Sequence, residues 1–257
     1  MCVTYLGYQA SSLKAYLATP EDLLATFHKL KDIGYRHLQL QWIARSIPLE
    51  YTAEVLQATG LTCIGTQDGY ADIRNDLDYY VNMNKLWGSK SLCISTIPEE
   101  QMTREGLIDF AAEMDRIAQI LGEQGISLTF HPTAPNFRLV NGRSAVDTVM
   151  ELFPKEIGLT FCIFHAVRAG LDPIALLERY SGRIEICHFK DSAVLPDGKE
   201  YLVPVGQGQI DWLPIFDACH RTGVRWGLAE QESWQKDAFV CAKEAFDYIS
   251  GCGITPP

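Results

Sequence analysis

The sequence lacks several things. None of its eight Cys forms a C-x-x-C pair. Most sit inside apolar runs such as Leu92-Cys93-Ile94 and Ile186-Cys187-His188, where Cys acts as a small hydrophobe, so a reduced, cytoplasmic protein is expected. No apolar run reaches the roughly 18 residues that a membrane span requires. No charged segment followed by an apolar one opens the chain, so no signal peptide is expected. Positive charge is in deficit: 22 Lys+Arg stand against 32 Asp+Glu, a net charge of −10. Phosphate neutralisation needs clustered Lys and Arg, so a nucleic-acid binder is disfavoured. The composition is that of an ordinary globular chain, with 47% hydrophobic and 21% charged residues among 257. Disorder, collagen and small disulfide scaffolds are excluded.

Short apolar runs alternate with amphipathic ones from end to end. Extended segments are predicted at 2–8, 37–41, 61–65, 91–95, 125–131, 158–163, 183–189 and 224–229. Helices are predicted at 19–34, 48–59, 76–86, 103–121, 144–153, 172–180, 212–221 and 237–249. The first helix begins with Thr19 as N-cap, Pro20 in the first turn and Glu21 and Asp22 at the positive end of its dipole. Asp211 reads as a structural N-cap. Eight strand–helix units fill the chain and leave nothing for a second domain. That count and length predict an α/β fold, a closed (β/α)8 TIM barrel over 1–257. An open doubly wound sheet would carry a Gly-rich phosphate turn after its first strand, and Tyr8-Gln-Ala-Ser-Ser-Leu13 has none.

A barrel of this kind places chemistry at the C-terminal ends of its strands. Gln39, Gln41, Gln67, Asp68, Ser95, Thr96, His131, Cys162, His165, His188, Lys190, Asp191, Glu230 and Gln231 fall there. Three of the six His therefore converge on one mouth. His131, Cys162, His188 and Glu230 lie on the last four strands, about 4.8 Å apart from one strand to the next, and could share one divalent ion. Imidazole, thiolate and carboxylate suit a transition metal, and the thiolate tilts the choice toward zinc over Mn, Mg or Co. Each residue has a plainer reading: His131 and His188 as hydrogen-bonded rim residues, Cys162 as core, Lys190 as a salt bridge to Asp191. Glu230 follows an apolar run, an expensive place for a charge without a partner. Tyr5, Trp42, Phe137 and Trp234 are candidates for an apolar wall against a ring, or for plain packing.

The stretches Gly158-Leu-Thr-Phe-Cys-Ile-Phe-His165, Arg183-Ile-Glu-Ile-Cys-His-Phe-Lys-Asp191, Gly206-Gln-Gly-Gln-Ile-Asp211 and Leu228-Ala-Glu-Gln-Glu232 resemble the sugar phosphate isomerase/epimerase superfamily, with its xylose isomerase-like barrel. The resemblance implies a divalent ion held by Glu, Asp, His and Glu from strands five to eight. His188 and Glu230 match two of these. His131 and Cys162 stand at the other two, and Gln39 stands where Glu is frequent at the end of strand two. Where His occupies the strand-five position, a carboxylate is often found a few residues on; this chain has Asn136 there instead. His165 matches the family's substrate-contacting His.

The resemblance further implies metal-assisted proton transfer beside a carbonyl. Glu230, His131 and His165 are then the catalytic candidates, and Lys190, Gln39, Asn136 and Gln67 the substrate contacts. The partner implied is a small-molecule sugar or polyol, with no nucleic acid and no membrane; a homodimer accords with the prevalence of two-fold assemblies. An alternative is a member with altered catalysis that serves as a sugar-binding or partner subunit. An endonuclease of the same barrel class acting on abasic DNA would need more His and acid ligands and a basic groove.

Overall fold

The first helix forms where the signals place it. Thr19 Oγ1 accepts the Asp22 N–H at 3.1 Å, Pro20 occupies the first turn, and the stripe Leu23, Phe27, Leu30 is buried. The helix spans Pro20–Ile33. Similar logic sets Arg104–Glu123, which Thr103 caps by accepting the Gly106 N–H at 3.0 Å. In the helix Trp212–Thr222, Asp211 is the N-cap residue by position, yet its side chain makes no capping bond.

The computed structural model describes residues 3–257; the start of the run expected at 2–8 therefore lies outside the described residues at Cys2. Eight parallel strands close into a barrel: β1 Tyr5–Gln9, β2 His37–Leu40, β3 Thr62–Gly69, β4 Ser91–Ser95, β5 Ser127–His131, β6 Gly158–Cys162, β7 Ile184–Phe189 and β8 Trp226–Ala229. β1 pairs with both β2 and β8, which closes the ring. The fold is a single-domain (β/α)8 barrel.

The differences from expectation are local. β3 runs on to Gly69, so Gln67 and Asp68 lie within the strand rather than after it. A short helix at Ile163–Arg168 begins where β6 ends, so His165 sits on a helical turn. The apolar sequence Cys-Ile-Phe gives no local sign of that switch from extended to helical. Two small hairpins, Leu139–Val140 with Arg143–Ser144 and Asp191–Val194 with Glu200–Val203, decorate the mouth.

Alternation along each strand divides the core in two. Outward side chains pack under the helices in the large apolar cluster; on β7, Phe189 meets Trp212 and Phe216 with ring centroids 5.4 and 5.1 Å away. Gly227 on β8 leaves room for that ring, since a Cβ there would lie 2.1 Å from Phe189. Inward side chains plug the lumen at its N-terminal end: Ile186, Trp226 and Leu228, with Tyr5 and Ile64 against them. Tyr5 thus belongs to the floor of the barrel, where it packs on Trp226 at 5.6 Å, and not to a wall at the mouth. Above this floor the inward residues become polar.

Candidate active site at the barrel mouth

Parallel register delivers the polar residues to one level. Gln9 pairs with Gln39 across β1 and β2, Cys162 with His188 across β6 and β7, and Ser95 with His131 across β4 and β5. His188 lies opposite Leu228, two residues before Glu230. Gln9, Gln39, His131, Cys162, His188, Lys190 and Glu230 are all buried.

Glu230 is the hub. Its Oε2 lies 3.5 Å from His188 Nδ1, 3.7 Å from Lys190 Nζ and 3.9 Å from Cys162 Sγ. Its Oε1 accepts a hydrogen bond from Ser11 Oγ at 3.3 Å. Lys190 is held on its other side by Glu232, 2.6 Å away. Burial alone would pull the Lys190 ammonium down, but Glu230 and then Glu232 outweigh it and hold it above its ordinary range. Burial, reinforced by the charge of Glu230, pushes Glu232 up to about 7. Lys190 therefore pairs with Glu230 and Glu232, and not with Asp191.

Asp191 has another task. Its carboxylate is fully buried and accepts from Ser192 N, Gly206 N, Gly208 N, Ile210 N and Trp212 Nε1, at 2.8–3.4 Å. It pins the Gly206–Gln–Gly208 loop to the end of β7. Gly208 approaches so closely that a Cβ would lie 2.0 Å from Asp191 Oδ1.

Four amides line the opposite wall. Gln9 Nε2 points at Gln39 Oε1, Gln67 Oε1 and Gln41 Oε1, at 3.1, 3.3 and 3.4 Å, and Gln67 Nε2 donates to Ser95 Oγ at 3.0 Å. Gln39 Oε1 also meets His188 Nε2 at 2.6 Å. A carbonyl oxygen only accepts, so Nε2 carries the proton and the lone pair of His188 sits on Nδ1, toward Glu230 and Cys162. Gln39 Nε2 has no partner.

Three imidazoles crowd this space. His131 lies 4.9 Å from His188 and 5.6 Å from His165 between ring centroids. Burial, then the repulsion of neighbouring imidazoles and of Lys190, depresses them: His188 to about 3, where Lys190 acts more strongly than His165, His165 to about 2, and His131 well below its usual value. All three are neutral near pH 7. Both nitrogens of His131, Nδ1 of His165 and Nδ1 of His188 are buried without a hydrogen-bond partner. Burial and the neighbouring Glu230 hold the Cys162 thiol above its ordinary range.

The sequence candidates thus separate. His131, Cys162, His188, Lys190, Glu230, Gln39, Gln67 and His165 meet at the mouth. Asn136 is buried beside it, but its amide is spent inside the loops: Oδ1 accepts from Thr96 Oγ1, Thr133 N and Ile97 N, and Nδ2 donates to Ile97 O. Phe137 is core. Trp42 stands 40% exposed with Lys14 Nζ 4.6 Å over its ring, and Trp234 packs on Tyr16 at 6.1 Å. Sequence reasoning missed Gln9, Ser11 and Glu232. Glu232 had a signal, the Glu-Gln-Glu spacing that returns a side chain to the same face after two residues. Ser11 lies on a 3-10 turn that no periodicity announced.

Cys162, His188 and Glu230 offer ligand atoms that all lie within 4.8 Å of one another, as do His131, Cys162 and His165. The lone-paired nitrogens without partners and the mixed sulfur, nitrogen and oxygen donors fit a borderline divalent cation.

The closed parallel barrel gathers a buried cluster of titratable and ligand-bearing side chains at its C-terminal mouth, the end where barrels of this kind carry their sites. Residues 27–240 match the family profile of the xylose isomerase-like TIM barrel, and the chain belongs to that family. It is 32% identical over 166 residues to an inosose dehydratase of Geobacillus kaustophilus, a match covering 56% of this chain and 51% of the relative. The chain spans about half the length of the curated relatives it matches. In fold it is similar to a sugar phosphate isomerase/epimerase of Parabacteroides distasonis, with TM-score 0.80 at 15% identity over 97% of this chain and 94% of that one. It is also similar to an L-ribulose 3-epimerase, with TM-score 0.79 at 17% identity over 97% and 94%.

Proposed function

We infer that the chain is an enzyme that isomerises, epimerises or dehydrates a sugar, sugar phosphate or polyol by moving a proton on a carbon beside a carbonyl. The observation that carries this is Glu230, a nearly buried carboxylate between an ammonium, a neutral imidazole and a thiol. The inosose dehydratases among its relatives favour the dehydratase within that set.

Glu230 takes or returns the proton. Lys190 stands 3.7 Å from it and opposes the negative charge that develops when the carbon is deprotonated. His131 and His165, both neutral, complete the catalytic group as hydrogen-bond or ligand partners and carry no charge of their own. Gln39 and Gln67 turn amide groups toward substrate hydroxyls, and Asn136 acts by fixing the loops after β4 and β5. A divalent ion held by His188, Glu230, His131 and Cys162 would polarise the substrate carbonyl, with zinc favoured by the thiolate. The donor set supports that ion, and the buried, unpaired cysteines support a reducing, cytoplasmic setting.

The test is proton exchange. Incubated in D2O with a panel of ketoses and inososes, the wild-type protein should wash deuterium into one substrate carbon or release water from it. Glu230→Gln should lower that rate at least about 10²-fold, the scale of general acid–base catalysis, with an unchanged circular dichroism spectrum. Retained turnover would remove Glu230 from its role. Binding of a sugar with neither exchange nor water loss in the wild type would favour a binding subunit.

A further inference from the structure

The end of β1 holds an amide whose orientation is fixed from outside the site. Gln9 closes the strand and caps the 3-10 turn Ala10–Tyr16, and its Oε1 accepts the Ser11 N–H at 3.2 Å. That N–H lies in the first turn, where no carbonyl of the turn itself reaches it. A backbone N–H only donates, so it admits the oxygen of the Gln9 amide and refuses the nitrogen. Gln9 is fully buried and Ser11 is 2% exposed, so water offers neither of them a substitute.

Gln9 Nε2 is thereby turned to the far side, toward the carbonyl oxygens of Gln39, Gln67 and Gln41 at 3.1, 3.3 and 3.4 Å. The Gln39 oxygen has a second neighbour, His188 Nε2 at 2.6 Å. Reversing Gln39 would set its NH2 against the NH2 of Gln9. The arrangement does not serve Gln39 itself, whose Nε2 is left buried without a partner. Gln9 therefore holds the Gln39 oxygen against His188, and a ring nitrogen facing a carbonyl oxygen must carry the hydrogen. A neutral imidazole has one N–H, so the lone pair falls on Nδ1, 3.5 Å from Glu230 Oε2. Left to itself, the ring would take the opposite form. An N–H at Nδ1 would donate to the Glu230 carboxylate, and such a charge-assisted bond is stronger than one to an amide. Glu230 draws the hydrogen toward the site, and the row of amides holds it away.

We propose that Gln9 is a positioning residue: anchored by the Ser11 N–H, it orients Gln39 so that His188 keeps its hydrogen on Nε2 and turns a bare Nδ1 to the site. Gln9 acts through Gln39. Its bearing on the ion rests on the functional reading, in which His188 is a ligand, but the tautomer is set with no ion and no turnover.

Nitrogen-15 labelling of the histidines reads the tautomer in the metal-free protein at pH 7. Correlating each ring nitrogen with the carbon-bound ring hydrogens separates Nε2–H from Nδ1–H, and the resonances missing from His188→Ala assign the ring. The wild type should show Nε2–H. Gln9→Met removes the amide and should move the hydrogen to Nδ1 in most of the population. Gln9→Asn, too short to span Ser11 and Gln39, should do the same, and it decides if Gln9→Met does not fold. Adding Gln39→Glu to either variant should return the hydrogen to Nε2, because a carboxylate offers His188 an acceptor in either orientation. Zinc affinity should follow the tautomer and fall about 10–100-fold in Gln9→Met, the range for losing an outer-shell partner. A wild-type ring protonated at Nδ1 overturns the proposal. So does a tautomer that stays unchanged in a folded Gln9 variant, whatever its zinc affinity, or one that Gln39→Glu does not restore. A tautomer that switches as expected in a protein that binds no zinc refutes the ion reading and leaves the role of Gln9 standing.

Discussion

Replacing Asp191 with Ala should destabilise the protein sharply, although the residue touches no substrate-facing group. Its carboxylate accepts five hydrogen bonds and is fully buried. The Gly206, Gly208 and Ile210 N–H groups are half-buried and can turn to water. The Ser192 N–H and the Trp212 indole N–H are buried, and each would lose its acceptor. At about 1–3 kcal/mol per unsatisfied buried donor, the two together cost roughly 2–6 kcal/mol. For a chain of this size each kcal/mol lowers Tm by roughly 2–4 °C, so a central loss of about 4 kcal/mol is a fall of roughly 8–16 °C. Urea denaturation at pH 7 measures the loss directly. Asp191→Asn retains one acceptor oxygen and should fall between Asp191→Ala and the wild type. A loss within about 0.5 kcal/mol for Asp191→Ala, the size of a surface substitution, would refute the anchoring role.

The same geometry sets other expectations. Gly208→Ala should destabilise comparably by driving a methyl into Asp191 Oδ1, and a thermal melt that matches wild type would contradict the close approach. His188→Ala should weaken zinc or cobalt binding about tenfold or more. His220→Ala should not, because His220 lies on the helix Trp212–Thr222 and its Nδ1 accepts the Thr4 N–H; equal affinities would remove His188 from the ion site. Metal-free protein should lose stability in acid. His131, His165 and His188 have folded pKa values depressed mainly by burial, so their contribution is whole above about 6.5 and is lost as pH falls toward about 3. Each group contributes at most about 1.4 kcal/mol per pH unit in that window. A denaturation midpoint that does not move between pH 7 and pH 5 would argue against three buried neutral imidazoles.

The barrel was legible because its signals are local. Thr19, Pro20 and Thr103 mark helix starts by chemistry that acts over three or four residues, and the apolar runs have the length of strands. Eight repetitions of that pattern leave one closed architecture. The strand ends then named most of the mouth, including His131, Cys162, His188 and Glu230. Asp191 was not legible as an anchor. Four of its five donors lie 15–21 residues downstream, and all five but the Trp212 indole are backbone N–H groups, which carry no side-chain code. Lys190 beside Asp191 suggested a pair, but adjacent strand residues face opposite sides, and Lys190 reaches Glu232 instead. Asn136 looked like a substrate contact, and only the loop geometry around Thr96 and Thr133 exposes its saturation. Tyr5 left both a wall and plain packing open because a strand start and a strand end look alike in composition; the barrel puts them at opposite mouths, and Tyr5 is packing.

The proposed chemistry rests on a single place where a cation, a thiol and a carboxylate come together. Anomalous diffraction from zinc-soaked crystals tests it directly. The expected result is one peak about 2.3 Å from Cys162 Sγ, the distance of a zinc–thiolate bond, with imidazole nitrogen from His188 and His131 and a carboxylate oxygen of Glu230 completing the shell. A zinc-soaked crystal whose only peaks lie on surface carboxylates, with none within bonding distance of Cys162, would contradict it.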